Sequence, residues 1–217
     1  MKGEDFIIIL AWPEGMTTAA GAWYDKIAST NGKYRVGHSA LALINSKTQK
    51  IHYFDFGRYH TPKGFGRVRD PETDPDVGIK EIAKINGSKI ENINDILIEI
   101  STKEPCHGEG TLYSSIMSGV HFDKALNYAK KWQEKGLIPY GPFVINGTNC
   151  SRFVASVSQK ISVSFIKKIR FKFPISISPS PKRNVSIANP NYYVVKNGRC
   201  DKINRGYLES YFKSIEK

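Results

Sequence analysis

The sequence predicts an α+β fold, and two features carry that expectation. Strand-length apolar segments fill the first quarter of the chain, beginning with Phe6-Ile7-Ile8-Ile9-Leu10-Ala11-Trp12. Apolar residues then recur at helical spacing in 122–134 and 150–160, so strands and helices are mixed along one chain.

Residues 6–12 read as one buried strand, because an uninterrupted apolar run suits a strand covered on both faces. Thr17 to Ser29 reads as a helix, with Trp23, Ile27 and Ala28 on one side and Asn31-Gly32 ending it. Tyr34 to Ile44 and Lys50 to Phe56 flank the polar stretch Asn45-Ser46-Lys47-Thr48-Gln49 and form the clearest hairpin in the chain. Residues 57–78, rich in Gly, Pro and Asp, read as a long loop of the kind that often carries function. Residues 95–101 read as a strand. Phe122 to Glu134 reads as a helix stopped by Gly136, and Ile138 to Phe143 as an extended connection. Cys150 to Lys160 reads as a helix with Phe153, Val154, Val157 and Ile161 on its apolar side. Beyond it the prolines predict irregular chain, then a strand at Tyr192 to Val195 and a short helix at Tyr207 to Ile215. The expectation is a single domain over 1–217, with a core at about 6–160 and a C-terminal extension at 161–217.

Composition narrows the function. Apolar residues make up 40% and charged residues 24%, an ordinary globular balance. No apolar run approaches the length of a membrane helix, and no amphipathic anchoring segment stands out. The start of the chain lacks the pattern of a cleavable secretory signal. Three widely spaced cysteines, Cys106, Cys150 and Cys200, form neither a disulfide framework nor a metal pair. A reducing, cytoplasmic setting is the simplest expectation, with signal-independent export left open. The net charge of +12 favours acidic partners. It is diffuse, however, and its densest stretch, Lys167-Lys168-Ile169-Arg170-Phe171-Lys172, reads as a solvated strand face rather than a nucleic-acid site.

The strongest chemical signal is Asn146-Gly147-Thr148-Asn149-Cys150-Ser151-Arg152-Phe153-Val154. A Gly-containing turn feeds a helix, Asn149 caps it, and Cys150 sits in the first turn, where the helix dipole favours a thiolate. A buried structural cysteine is the alternative reading of this segment alone. A nucleophilic Cys needs a base. Among five histidines His38 is the candidate, because Gly37, Ser39 and Ala40 leave room for another element to pack against its ring. A hairpin turn centred between Ser46 and Lys47 would set Asp55 directly across from His38, where a carboxylate could orient the imidazole. A slip of one residue would aim Asp55 away. Tyr53, on the same face, is the second choice.

Tyr53, Arg58, His107 and Asn149 are candidate substrate-binding residues. Arg58, Arg67 and Arg69 could also grip a carboxylate or phosphate in bidentate fashion, or be ordinary surface arginines. Cys106, next to His107, ranks below Cys150 because neighbours on a strand point to opposite faces. The acidic run Asp70, Glu72, Asp74, Asp76 lacks the central Gly of a calcium loop and contains Pro71 and Pro75, so no metal is expected there, and no cofactor is implied elsewhere.

Val36-Gly37-His38-Ser39, a polar residue on the next strand, and a late Asn149-Cys150-Ser151-Arg152-Phe153 together resemble the permuted branch of the NlpC-type papain-like superfamily. That branch includes lecithin:retinol acyltransferase-like proteins and related bacterial hydrolases. The resemblance covers about residues 6 to 160 and departs from those acyltransferases in offering Asp55 where they usually have a second His. It implies a permuted papain-like fold, with a sheet carrying His and the polar third residue, packed on a helix carrying Cys. It also implies hydrolysis or transfer at an amide or ester through a thioester. The resulting expectation is a cysteine amidase or peptidase acting on a peptide-like or cell-wall-derived substrate. A thiol acyltransferase on lipids and a non-enzymatic module binding an anionic partner are the alternatives. Nothing in the sequence determines an oligomeric state.

Overall fold

In a computed structural model the described residues are 4–18, 33–35, 37–106, 110–142, 144, 146–172, 179–206, 209 and 215. Strand β1 (Phe6–Trp12) is followed by the short β2 (Met16–Thr18) and β3 (Lys33–Arg35), which pair with each other. The hairpin β4 (His38–Ile44) and β5 (Ile51–Gly57) comes next, then β6 (Phe65–Arg69), β7 (Ile85–Asn86) and β8 (Lys89–Ile90). Helix α1 (Ile93–Thr102) leads to β9 (Leu112–Ser118), α2 (Phe122–Gln133), β10 (Ile138–Pro139) and α3 (Cys150–Ile161). Helices α4 (Phe165–Lys172) and α5 (Pro181–Ala188) and the hairpin β11 (Tyr192–Lys196) and β12 (Arg199–Ile203) complete the order.

Eight strands form one antiparallel sheet in the order β10-β6-β5-β4-β1-β9-β11-β12. All seven residues of β1 are buried because both sheet faces are covered. One face carries Ile7, Ile9, Leu41, Leu43, Phe54 and Phe56 and packs on α2, α3 and α5. The other carries Phe6, Ile8, Leu10, Trp12, Ala42 and Tyr53 and packs on α1.

Several elements differ from the sequence expectation. The segment read as a strand at 95–101 is the helix α1. Its buried residues Ile93, Ile96, Leu97 and Ile100 follow helical spacing, so the amphipathic pattern prevails over the β-propensity of isoleucine. The helix expected over Thr17 to Ser29 begins instead with strand β2, and the rest of it, 19–29, lies outside the described residues. The loop at 57–78 contains β6, whose Arg69 pairs with Asp55. Strand β9 was hidden by its composition: Ser114 and Ser115 are fully buried, and Ser115 stays satisfied by donating to the carbonyl of Val185 at 2.8 Å. Among the described residues of 162–191, where irregular chain was expected, α4 and α5 form. Pro181 occupies the first turn of α5, where its missing N–H costs nothing, and Ser180 caps that helix by accepting from the amide of Arg183. The expected strand at Tyr192 is joined by β12 through a turn at Asn197 and Gly198, both with positive φ. Of the helix expected at 207–215 only Glu209, which is helical, and the buried Ile215, in a turn, are among the described residues.

Register is what positions the candidate site. The hairpin pairs Ala40 with Asp55, so the turn centres between Lys47 and Thr48, and residue 38 does not face Asp55 directly. The difference from expectation is an even number of residues. Parity is therefore kept, and Asp55 stays on His38's side of the sheet, one diagonal step away. The Asn45 side chain sets the longer turn by accepting from the amides of Lys47 and Thr48 at 2.9 and 3.2 Å.

Gly37 delivers the chain into β4 with φ +62°, and its amide donates to the carbonyl of Gly15 at 3.0 Å. A Cβ there would run into the Trp12 carbonyl and the Pro13 backbone. Gly37→Ala is therefore expected to lower stability by about 1–3 kcal/mol in chemical denaturation and to displace the adjoining His38.

Candidate active site

Helix α3 carries Cys150 at its first position. The Asn149 side chain accepts from the amide of Arg152 at 2.8 Å, which caps the helix as its residue type predicts. The turn before it is held by backbone bonds from Thr148 to the Pro139 carbonyl and from Gly141 to the Thr148 carbonyl, both 3.0 Å. From the other side the fully buried Asn184 of α5 donates to the carbonyl of Ser151 at 2.8 Å. The nucleophile candidate thus sits in a helix turn fixed from three directions.

The thiol of Cys150 and the imidazole of His38 at the end of β4 lie close enough for each to shift the other's ionisation. Trp12, paired with His38 across the β1–β4 ladder, stacks on the ring at 5.8 Å between centroids. His38 Nε2 lies 3.2 Å from Asp55 Oδ2 and 3.3 Å from the Tyr59 hydroxyl. That leaves Nδ1 as the ring nitrogen available to exchange a proton with the thiol.

Asp55 is fully buried, and its carboxylate is saturated with donors. Arg69 grips it with Nε to Oδ1 at 3.0 Å and Nη2 to Oδ2 at 2.7 Å. The hydroxyls of Tyr53 and Tyr59 each lie 3.1 Å from Oδ2. The Tyr59 ring also lies under the Arg69 guanidinium at 3.3 Å. Tyr59 reaches this position only because residue 57 is Gly, since a Cβ there would collide with its ring.

The electrostatics follow from these contacts. Burial pushes the Asp55 carboxyl up, but its bonds with His38 and Arg69 outweigh that and hold it at about 2. Burial likewise opposes the charged imidazole, yet the bonds to Asp55 and Cys150 raise His38 to about 9. Cys150 is pulled down against its burial by the His38 bond and charge, with the Ser39 backbone and Ser151 contributing. The pair therefore favours thiolate and imidazolium. The other thiols behave oppositely: burial pushes Cys106 up to about 12 and Cys200 up to about 11.

The structure thus brings Cys150, His38 and Asp55 together, while the residues expected to bind substrate fare differently. Tyr53 is wholly buried and bonded to Asp55 and the Cys106 carbonyl, so it supports the carboxylate from behind and cannot line a groove. The bidentate grip foreseen for Arg69 closes on Asp55, and that of Arg67 closes on Asp74. Arg58 is half-buried, with its guanidinium 5.4 Å over the ring of Tyr140. The Asn149 side-chain oxygen is occupied as the helix cap. His107 lies outside the described residues. Cys106 donates to the Val77 carbonyl at 3.4 Å in the core. Asp70, from the acidic run, is bonded by Lys130 and by Gln133. Tyr59 and Arg69 are the site residues whose roles sequence reasoning missed. The signal for Arg69 was its guanidinium, foreseen as a bidentate grip on a carboxylate; that the carboxylate is Asp55 follows only from the pairing of β6 with β5.

Two outcomes test this electrostatic picture. Iodoacetamide at neutral pH should modify Cys150 at least about tenfold faster than Cys106 or Cys200, read by peptide mass spectrometry. The folded pKa of Asp55 lies below its ordinary 3.8, so the stability it contributes is whole above about 4 and lost as pH falls to about 2. Asp55→Asn should abolish that acid-linked loss. It should also cost about 3–5 kcal/mol near neutral pH in urea denaturation, because Arg69 is left buried and unpaired.

A crystal structure of the type VI secretion system effector TseH superposes on this chain with a TM-score of 0.63. The match covers 93% of this chain and 99% of that one at 19% sequence identity, and it shows a shared papain-like fold. No curated protein sequence matches the chain. The family model described as "Type VI secretion system effector TseH-like" matches residues 7–166, which span β1 through α3 and include Cys150, His38 and Asp55. The chain belongs to the type VI secretion system effector TseH-like family.

Proposed function

We propose that the protein is a cysteine hydrolase that cleaves an amide bond in a peptide-like, cell-wall-derived substrate. The observation that carries this reading is a Cys150 at a capped helix start whose thiol is lowered by His38, the Nε2 of which is tied to a buried carboxylate. Cys150 is the nucleophile, His38 the base and acid, and Asp55 the group that orients His38. In the first half-reaction the sulfur attacks the carbonyl carbon and His38 holds the thiol proton. The tetrahedral oxyanion is stabilised by the Cys150 amide at the helix start. His38 then protonates the leaving amine as the C–N bond breaks, leaving a thioester. In the second half-reaction His38 takes a proton from water, the hydroxide attacks the thioester, and the thiol is regenerated with release of the acid.

Tyr53 and Arg69 act through Asp55, Tyr59 acts through Asp55 and on His38 Nε2, and all three are positioning residues. Arg58, half-buried beside Tyr140, remains the proposed contact for substrate outside this cluster. Membership in a family of secretion effectors favours a site of action outside the cytoplasm that makes the protein, in place of the cytoplasmic expectation. Acyl transfer to or from lipids, the chemistry of the acyltransferase branch, uses the same first step and differs in the acceptor.

The test is incubation with purified cell-wall muropeptides, following new amino termini by mass spectrometry. Cys150→Ala and His38→Ala should each lower turnover by about a thousandfold or more. Tyr59→Phe should shift the pH profile with a smaller loss of rate. Unchanged turnover in Cys150→Ala would reject the nucleophile. A hydroxylamine-labile acyl adduct formed on Cys150 from phospholipid, with muropeptides untouched, would replace amide hydrolysis by acyl transfer. A Cys150 thiol titrating near the ordinary value of about 8.5, with no turnover of either substrate, would leave the binding-module reading instead.

A further inference from the structure

The basic stretch 167–172, read from sequence as a solvated strand face, is part of helix α4, and its apolar residues are not buried. Phe165 is 74% exposed, Ile166 57% and Ile169 43%, and Val163 just ahead of the helix is 65% exposed. Large apolar side chains clustered this way on a surface mark an interaction site, whereas isolated ones do not. Successive helical residues turn by about 100°, so Phe165, Ile169 and Ile166 fall within one arc of roughly that width. Lys168 and Lys172 lie on one flank of the arc, and Arg170 and Lys167 on the other. Phe171, on the far side, is buried in the core with α3 and α5 and fixes the helix in this orientation.

We infer that α4 is a docking ridge for an anionic lipid surface. Phe165, Ile166 and Ile169 enter the headgroup layer while the exposed Lys168 beside them meets lipid phosphates. An apolar ridge bordered by Lys and Arg is the arrangement that interfacial helices use. No described helix is long and apolar enough to cross a membrane, so α4 lies on the surface rather than spanning it. Charge decides the occupant. A second copy of the chain would bring a second set of cations against the first, on a protein already carrying +12. Lys167 adds to the same field. With Lys89 and Lys202 it lines a cavity of about 380 Å³, and no carboxylate is among the described residues lining it. Burial lowers the Lys167 pKa, with Arg170 contributing, as expected of an ammonium held among like charges. The ridge is distinct from the Cys150–His38 pair, so docking does not depend on the proposed chemistry.

The experiment is cosedimentation of the full chain with vesicles of phosphatidylcholine alone and of equal parts phosphatidylcholine and phosphatidylglycerol. Binding is expected to the mixed vesicles, to weaken as salt is raised, and to persist in Cys150→Ala. The surface triple variant Phe165→Ser, Ile166→Ser, Ile169→Ser should weaken it by at least about tenfold, with circular dichroism unchanged. Lys168→Glu, which leaves the ridge intact, should weaken it as well. The proposal is overturned if the mixed vesicles are not bound, or if the triple variant binds as well as the parent. It is also overturned if light scattering shows a dimer that the triple variant dissolves, which would mean that a second copy covers the ridge.

Discussion

The ion pair between Asp55 and Arg69 is the interaction on which the rest of the site depends. A carboxylate with no exposure to water is tolerable only where its charge is matched and its lone pairs are filled. Here a bidentate guanidinium matches the charge, and two tyrosine hydroxyls and an imidazole N–H complete the shell. The consequence reaches outward. A carboxylate kept ionised at about 2 holds the His38 ring by one nitrogen and stabilises its protonated form. The protonated ring in turn lowers the thiol of Cys150. The ionisation of Cys150 is thus set through His38 by the Asp55–Arg69 pair.

The sheet makes this arrangement mechanically firm. His38, Asp55 and Arg69 lie on three adjacent strands, β4, β5 and β6, and Trp12 on β1 adds a fourth. Their relative positions are fixed by ladder register rather than by loop conformation. Cys150 arrives from α3, on the opposite face from α1, and reaches His38 at the end of the sheet where Gly37 lets the chain turn. The segment past residue 161 also contributes. Helix α5 anchors the first turn of α3 through Asn184, and β11 extends the sheet from β9.

Charge on this protein is sorted by burial. The arginines of β6 are consumed internally, by Asp55 and Asp74, and stabilise the region around the site. The lysines of α4 instead border exposed apolar side chains at a distinct surface. The same composition therefore supplies an interior network of matched charges and a basic helix at the surface.

Much of the site was legible in the sequence because its signals are local. A Gly-containing turn, an Asn cap and a Cys at a helix start are near neighbours in the chain, and helix geometry alone gives them meaning. The pairing of His38's strand with Asp55's followed from a hairpin, and it survived a misplaced turn centre because side chains alternate with a period of two. Helix α1 was misread because isoleucine favours strands, and only packing of its Ile93, Ile96, Leu97 and Ile100 side shows which periodicity governs. Strand β9 was invisible because serine is not a core-forming residue type, and the partner that lets Ser115 be buried, the Val185 carbonyl, is distant in the chain. The assignment of Arg69 to Asp55, of Tyr53 to the interior and of the α4 ridge to solvent was decided by tertiary structure alone. Each depends on which distant segment occupies the neighbouring space, and local sequence carries no record of that.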